Sequence, residues 1–195
     1  MSILRKLRLV LVLFAVSGAP ALAQDWGVGA SIGLVNDVEH RIRLEGFDPR
    51  ENSAWIDFRL EDRVLLRGTL GSMRTKGSNA GSAAVIDGSV VTLPDLKVRI
   101  NYVDVAVSYQ FWEGDFTSGF FGGIGGYRVD PDAAEPELAE FRDPKETVFG
   151  FHAGVDGDVR LISRLSLVAR ITFHKLFSDV NRSLLTANVG AAFRF

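Results

Sequence analysis

The sequence contains no cysteine, and only two methionines and six prolines among its 195 residues. Without cysteine the fold is not held by disulfides, and both thiol catalysis and cysteine-ligated metal sites are excluded. The scarcity of methionine stands beside 20 glycines and 14 phenylalanines. This composition favours β-structure over a bundle of helices.

Long apolar runs are also scarce, and the only one lies at the start of the chain. Arg5, Lys6 and Arg8 precede the apolar residues 9–16, and the small-x-small sequence Ala21-Leu22-Ala23 follows. This order predicts a secretory signal peptide over residues 1–23 and a mature domain over residues 24–195. An uncleaved anchor is the alternative, but the run is much shorter than the about 20 residues that span a bilayer.

The mature chain has no surplus of positive charge. Removal of the three basic residues of the signal leaves 19 basic and 24 acidic side chains, a balance of −5. No basic stripe stands out, which argues against nucleic acid as a partner. After the signal no apolar stretch approaches the length of a transmembrane helix, so a membrane location requires strands.

Apolar and polar residues alternate with period two in eight segments, which predicts eight strands. The clearest segment is residues 103–111, where valines at 103, 105 and 107 alternate with polar or small residues. The other seven lie at residues 25–35, 53–60, 64–70, 118–128, 147–158, 165–174 and 185–195.

The connections between these segments alternate in length. Longer loops are expected at residues 36–52, 72–96, 129–146 and 177–183, with short turns near residues 61–63, 113–115 and 161–164. Strands of about ten residues in this rhythm predict an all-β fold, an eight-stranded antiparallel up-and-down transmembrane β-barrel with periplasmic termini. In the second loop, Asp87-Gly88 between two apolar stretches predicts an additional hairpin, an extracellular extension of the third and fourth strands.

Alternation alone leaves two orientations of the apolar face open. A soluble periplasmic barrel would bury this face, whereas a membrane barrel turns it towards lipid. Aromatic residues collect at the predicted strand ends, as they do in interfacial girdles, and this favours the membrane. They are Trp26, Tyr109, Phe111, Trp112, Phe193 and Phe195 at one edge, and Tyr102, Tyr127 and Phe177 at the other.

Three segments carry a resemblance to a known family: Val103-Asp-Val-Ala-Val-Ser-Tyr-Gln-Phe111, residues 119–127 and Val189-Gly-Ala-Ala-Phe-Arg-Phe195. They resemble the OmpA-like and OmpX-like superfamily of outer-membrane β-barrels, and the similarity of pattern covers the mature chain. The resemblance implies a monomer in the outer membrane of a Gram-negative bacterium, among outer-membrane lipids and lipopolysaccharide. It also implies that Phe195 is part of the signal read by the barrel-assembly machinery. No peptidoglycan-binding domain is expected after the barrel.

Charged residues on the polar face of the strands are predicted to line the lumen. An eight-stranded barrel has room mostly for side chains, and an unpaired charge there would cost several kcal/mol. We therefore expect ion pairs that fill the lumen, with a narrow or gated small-solute channel as the alternative. The predicted network comprises Asp57, Arg59, Arg67, Asp104, Asp156, Arg170 and Arg194.

The histidines are the only candidates for catalysis. His174 is predicted to face inward near the outer rim, Ser178 follows four residues later, and Asp179 or Glu146 would complete a nucleophile–base–orienter set. Some eight-stranded outer-membrane barrels are lipid A deacylases or acyltransferases, but those deacylases carry a His-x-Ser motif and the spacing here is longer. An ordinary polar role for His174 is the better interpretation.

Two further patterns carry no chemistry. No helix pattern follows the glycine-rich residues 122–126, so they do not form a phosphate cradle, and the acids of residues 130–146 match no metal-binding loop. We therefore expect no enzymatic activity, no cofactor and no metal. The expected role is structural or interactive, with extracellular loops that meet lipopolysaccharide, host or environmental partners. A lipid A deacylase-like enzyme and a small-solute channel are the rival functions.

Overall fold

The computed structural model describes residues 26–38, 50–76, 83–86, 89–93, 97–112, 114–132, 143–178 and 182–195. The predicted signal peptide and Asp179 lie outside these residues. No helix in the described ranges is long and apolar enough to cross a membrane.

The described residues form ten β-strands. Eight of them close into an antiparallel barrel, and the other two form a small sheet of their own. The barrel strands are β1 (Trp26–Asp37), β2 (Glu51–Glu61), β3 (Val64–Lys76), β6 (Lys97–Trp112), β7 (Phe116–Pro131), β8 (Glu146–Ile162), β9 (Leu165–Leu176) and β10 (Ser183–Arg194), and the small sheet consists of β4 (Ala83–Ile86) and β5 (Ser89–Thr92).

The barrel confirms the predicted fold class. Each barrel strand pairs with the barrel strands that precede and follow it in the chain, so β3 pairs with β6. The ring closes where β1 pairs with β10, from Gly27–Arg194 to Asp37–Leu184. Closure leaves no strand edge in the ring, so the backbone polar groups are paired within the sheet. The predicted hairpin is present as β4 and β5, but it is a separate sheet and does not lengthen the barrel strands.

The two ends of the barrel differ in their connections. One end, here called the turn end, carries the short connections from β2 to β3, from β6 to β7 and from β8 to β9, together with the residues Trp26 and Phe195. In the second turn Gly114 adopts a φ of 134°, which L side chains rarely take. The opposite end, here called the loop end, carries the four longer connections.

The apolar face of the strands points outward over most of the barrel. In β6, Val103, Val105 and Val107 are about half exposed, whereas Asp104 and Ser108 between them are buried. A soluble barrel would show the reverse arrangement. At the turn end the outward aromatic residues Trp26, Tyr109, Phe111, Phe193 and Phe195 are exposed, as a girdle requires. The side chain of Trp112 lies outside the described residues.

The alternation reverses towards the loop end, where β6 and β7 continue beyond their predicted ends and reach 16 residues each, more than the expected ten. In this part of β6, Lys97 and Arg99 are exposed, whereas Val98 and Ile100 are buried. At the loop end the strands therefore turn their apolar side chains inward, where these form an internal cluster, and their polar side chains outward, as in a soluble protein. This loop-end core comprises Val35, Met73, Val98, Ile100, Tyr102, Tyr127, Val129, Leu176 and Leu184.

Two of the predicted girdle residues belong to the interior instead. Tyr102 and Tyr127 are buried inside the barrel, and their rings stack 5.8 Å apart. Both follow the inward side of the alternation in their strands, so their placement in an outer girdle was wrong. Phe177, the third residue of that predicted edge, is exposed.

Inward glycines make room for large rings on the next strand. A Cβ atom on Gly29 would lie 2.2 Å from Cζ2 of Trp55, and one on Gly71 would lie 2.2 Å from Cζ of Tyr102. Real Cβ atoms do not approach another atom so closely, so any larger residue would displace the ring. These glycines therefore allow aromatic side chains to fill a narrow lumen.

Candidate functional site

The interior of the barrel is organised in layers, which begin with a vestibule at the turn end. This open cavity has a volume of about 350 Å³. Its lining is rich in arginine, with Arg59, Arg160, Arg164 and Arg194, and the rings of Trp26 and Phe195 form part of its rim. Arg59, from the predicted network, donates a hydrogen bond to the backbone oxygen of Asp62 in the first turn.

An ion-pair layer lies above the vestibule and centres on Arg67. Its guanidinium donates to both carboxylate oxygens of Asp57 over 2.6 and 3.0 Å, and to Asp156 over 2.7 Å. These residues come from β3, β2 and β8, so Arg67 joins opposite parts of the barrel wall. The structure thus brings together three residues of the predicted network, and they are well shielded from solvent.

Arg194 is paired with a carboxylate outside the predicted network. Its guanidinium donates a hydrogen bond to Asp158. Asp158 follows the inward alternation of β8 two residues beyond Asp156, and the strand continues to Ile162. The predicted strand ended at Asp158, and this residue was not assigned to the lumen. The alternation that continues from Asp156 to Asp158 was the signal that could have identified it as inward-facing.

Arg170 lies next in the interior and is held mainly by aromatic rings. It stands directly opposite Asp156 in the β8–β9 ladder, but that carboxylate binds Arg67. The guanidinium carbon of Arg170 lies 4.5 Å from the ring centre of Trp55 and 5.5 Å from that of Phe121. Cation–π attraction offsets part of the cost of burying this charge.

A polar layer beneath the loop-end core contains both histidines of the barrel wall. His152 and His174 are directly opposite each other on β8 and β9, with ring centres 5.8 Å apart. Nδ1 of His152 lies 3.8 Å from a carboxylate oxygen of Asp104, and Nδ1 of His174 lies 3.1 Å from the hydroxyl of Tyr127. Asp104, from the predicted network, therefore faces a histidine.

The same layer contains a buried carboxylate from the predicted loop at residues 36–52. Glu51 accepts a hydrogen bond from the hydroxyl of Tyr102 and is only 2 % exposed. It is the first residue of β2, two residues before the predicted start of that strand. Its inward position agrees with the alternation of Ser53 and Trp55, which was the available signal.

The candidate catalytic residues do not form a nucleophile–base pair in the structure. His174 is 2 % exposed, and Nδ1 is engaged with Tyr127. Ser178 lies in a bend two residues beyond the end of β9. Within the described ranges Nε2 of His174 has no hydrogen-bond partner, so neither ring nitrogen contacts Ser178. Glu146 begins β8.

Small cavities lie between these layers. Two cavities of about 20 and 10 Å³ lie among the charged and polar residues, and each has room for about one water molecule. Above the loop-end core, the buried Arg182 binds Asp143 over 2.9 Å and lies 3.7 Å from Asp37. The part of the chain that the structure describes contains no group of three or more histidines and carboxylates that could hold a metal ion.

A closed antiparallel sheet with an apolar outer face and a filled polar interior defines a transmembrane β-barrel. The chain belongs to the family described as the outer membrane protein beta-barrel domain, which it matches over residues 9–193. Membership implies an outer-membrane location. No curated protein matches the chain significantly.

Solved structures share this fold at low sequence identity. A major outer membrane protein from Thermus thermophilus gives a TM-score of 0.65 at 16% identity, with 89% of this chain and 100% of that chain covered. The N-terminal β-barrel domain of Pseudomonas aeruginosa OprF gives 0.56 at 10% identity, with 87% and 97% covered. Ail, the attachment invasion locus protein of Yersinia pestis, gives 0.52 at 11% identity, with 88% and 97% covered. At these identities the similarity concerns the fold alone.

Proposed function

We propose that this protein is a closed, non-enzymatic barrel of a Gram-negative outer membrane with a structural and surface-interaction role. The observation that carries the proposal is the filled interior, from the ion pairs of Arg67 to the loop-end core. A role in solute passage needs a continuous aqueous path, whereas the two internal cavities hold about one water molecule each.

Two barriers of different chemistry support a closed state. A solute that crosses the ion-pair layer has to separate Arg67 from Asp57 and Asp156, and breaking a buried pair costs about 3–5 kcal/mol. It then has to pass the apolar loop-end core, where Met73 and Ile100 are fully buried. Apolar constrictions also exclude ions because they do not hold water.

The proposed orientation follows from the difference between the two ends. Short turns are periplasmic and longer loops extracellular in barrels of this type, so the loop end faces the outside. The protein is then a monomer whose loops contact lipopolysaccharide or partners in the surroundings. Phe195, exposed at the turn end, would be presented to the barrel-assembly machinery.

Planar-bilayer recording tests the closed lumen. The purified barrel should give no conductance steps in concentrated KCl, while a porin added to the same bilayer supplies the positive control. The conductance of the variant R67S/I100G, which weakens both barriers, is compared with that of the unaltered barrel. The change in gel mobility on heating first establishes that the variant is folded. Stable conductance steps from the unaltered barrel would contradict the proposal.

Lipid analysis tests the absence of enzymatic activity. Cells that produce the unaltered barrel, H174A, S178A or no barrel should contain the same lipid A species by mass spectrometry, because His174 is buried and Ser178 is not its hydrogen-bond partner. Loss of an acyl chain that depends on the unaltered residues would instead establish a lipid-modifying enzyme.

A further inference from the structure

Three arginines lie side by side on the outer wall near the loop end. Arg74 of β3 is directly opposite Arg99 of β6. The backbone oxygen of Arg50 accepts a 3.0 Å hydrogen bond from the amide of Arg74, which continues the β2–β3 register one residue beyond the Glu51–Met73 pair. The three residues therefore occupy one row, which runs from β6 across β3 to the residue before β2.

This arginine row faces away from the lumen. Arg74 and Arg99 alternate with the fully buried Met73 and Ile100 of the loop-end core. Arg50 and Arg99 are exposed, and Arg74 is partly exposed. Like charges directly opposite each other on a sheet repel and destabilise it. Negative charge bound at this row would therefore stabilise the sheet, because it would offset the repulsion among the three guanidinium groups.

The nearest acid in the row is already engaged. Asp130 of β7 is opposite Arg99, but its carboxylate binds Arg128 and Lys145, each over 2.9 Å. Lys145 in particular lowers the pKa of Asp130, which lies at the loop end above the apolar band, so this acid stays ionised and bound to these two cations. Among the described residues no carboxylate binds the side chain of Arg50, Arg74 or Arg99.

The position of the row along the strands indicates its depth. The next row towards the turn end is the polar set of Asn52, Ser72 and Asn101, and the apolar band begins one row further with Ala54, Leu70 and Val103. Four residues of a strand tilted by about 40° rise about 10 Å along the membrane normal. Since the polar layer of each leaflet is about 5–8 Å thick, the arginine row lies at its outer boundary, where long guanidinium side chains reach lipid phosphates.

We propose that Arg50, Arg74 and Arg99 bind phosphate groups of a phosphorylated lipid in the outer leaflet. Guanidinium groups donate paired hydrogen bonds to phosphate oxygens, and the exposed Lys76 and Lys97, opposite each other one row further out, add positive charge. The bound phosphates also supply the missing negative charge of the wall. This inference rests on the proposed outward orientation of the loop end and gives its lipid contact a position and a chemistry.

Binding of lipid A with and without its phosphates tests this site. Barrel refolded into phosphatidylcholine vesicles that contain either lipid is extracted, and the bound lipid is counted by native mass spectrometry and titrated for affinity. The unaltered barrel should retain the phosphorylated lipid selectively. Replacing two arginines in R74Q/R99Q should weaken retention of the phosphorylated lipid roughly 20-fold. The variant R74K/R99K keeps the charge, so its retention should lie between that of R74Q/R99Q and that of the unaltered barrel.

A matched variant, R160Q/R164Q, removes two exposed arginines at the turn end and should retain lipid like the unaltered barrel. Heat-dependent gel mobility establishes that every variant is folded. Equal retention by R74Q/R99Q, or equal retention of dephosphorylated lipid, would overturn the proposal. The proposal would also be overturned if the arginines bound soluble dextran sulfate but retained no lipid, because the ligand of the row would then be a soluble polyanion. Conductance is measured separately, so failure of the closed-lumen proposal is distinguishable from failure of this site.

Discussion

Arg67 and Asp57 are directly opposite each other on β3 and β2, and they form a two-bond ion pair inside the barrel, with distances of 2.6 and 3.0 Å. The side chain of Arg67 is only 7% exposed. A third bond to Asp156 places two carboxylates around one guanidinium. The three bonds together therefore fix β2, β3 and β8 relative to one another, and the side chains that form them obstruct the lumen.

The first prediction concerns the removal of this guanidinium. In R67M the carboxylates of Asp57 and Asp156 remain in the interior without their counter-charge, and breaking such a buried pair costs about 3–5 kcal/mol. We expect the free energy of unfolding to fall by that amount in a urea titration of the barrel in phospholipid vesicles.

The matched control removes all three charges together. D57N/R67M/D156N also removes the two carboxylates that R67M leaves without a counter-charge, while Arg170 keeps its contacts with the rings of Trp55 and Phe121. It should therefore recover part of the stability lost in R67M, as neutral replacements of buried ion pairs often do. A triple variant as unstable as R67M would show that the loss comes from packing and not from unpaired charge.

The second prediction concerns the close approach of Gly29 and Trp55. Because a Cβ atom on Gly29 would lie 2.2 Å from the indole ring, G29A has to displace a ring that packs against Arg170. We expect a loss of about 1–3 kcal/mol in the same urea titration. The control is G126A, where a Cβ atom meets nothing within 4 Å and the change should be neutral or slightly stabilising. In a W55L background the cost of G29A should shrink, and an unchanged cost would place the strain elsewhere.

The third prediction compares two isoleucines on opposite faces of the sheet. Ile100 is fully buried in the loop-end core, whereas Ile124 is 57% exposed on the outer face. I100A leaves an internal cavity and should cost about 2–5 kcal/mol. I124A faces lipid chains that fill the space, so it should lose only the transfer free energy, about 1–2 kcal/mol. Equal losses in vesicles would indicate that the loop-end core is not tightly packed.

Alternation in the sequence was enough to predict the barrel and the facing of its central residues. A charged side chain that alternates with apolar residues on a membrane-spanning strand has to face inward, because its apolar neighbours face the lipid. Asp57, Arg67 and Arg170 do so. The partners of these charges were harder to predict. Arg67 and Asp156 are 89 residues apart, and their contact depends on how far the strands are staggered around the ring, which alternation does not encode.

The loop-end core was missed for a different physical reason. A strand that continues above the membrane turns its polar side outward and its apolar side inward, so the apolar residues change face while the period stays the same. Val98 and Ile100 thus share the inward face with Asp104, although a rule based on polarity assigns them to opposite faces. The same rule placed Tyr102 in an outer girdle. The reversal between Arg99 and Val103 marks the membrane boundary in hindsight.

The fourth prediction separates two roles of the terminal aromatic residue. Phe195 stacks on Trp26 with ring centres 3.8 Å apart and planes 7° apart, and its amide donates a 3.0 Å hydrogen bond to the backbone oxygen of Trp26. This contact joins the ends of β1 and β10 at the seam of the ring. W26A and F195A both remove the stacking, so each should lose about 1 kcal/mol from it when the purified barrel is unfolded with urea.

Assembly in cells should distinguish the two variants. If Phe195 is also read by the barrel-assembly machinery, F195A should lower the amount of folded barrel in the outer membrane, measured by heat-dependent gel mobility, well below the level of W26A. The loss of the Trp26–Phe195 stacking is common to both variants, but F195A also loses the edge contact of Phe195 with Phe193, whose ring centres are 5.0 Å apart. A defect of F195A in cells therefore belongs to recognition of the terminal residue only where it exceeds the difference in stability between the two purified variants. Equal levels in cells would assign Phe195 a purely structural role at the seam, because the loss of stacking alone would then account for both variants.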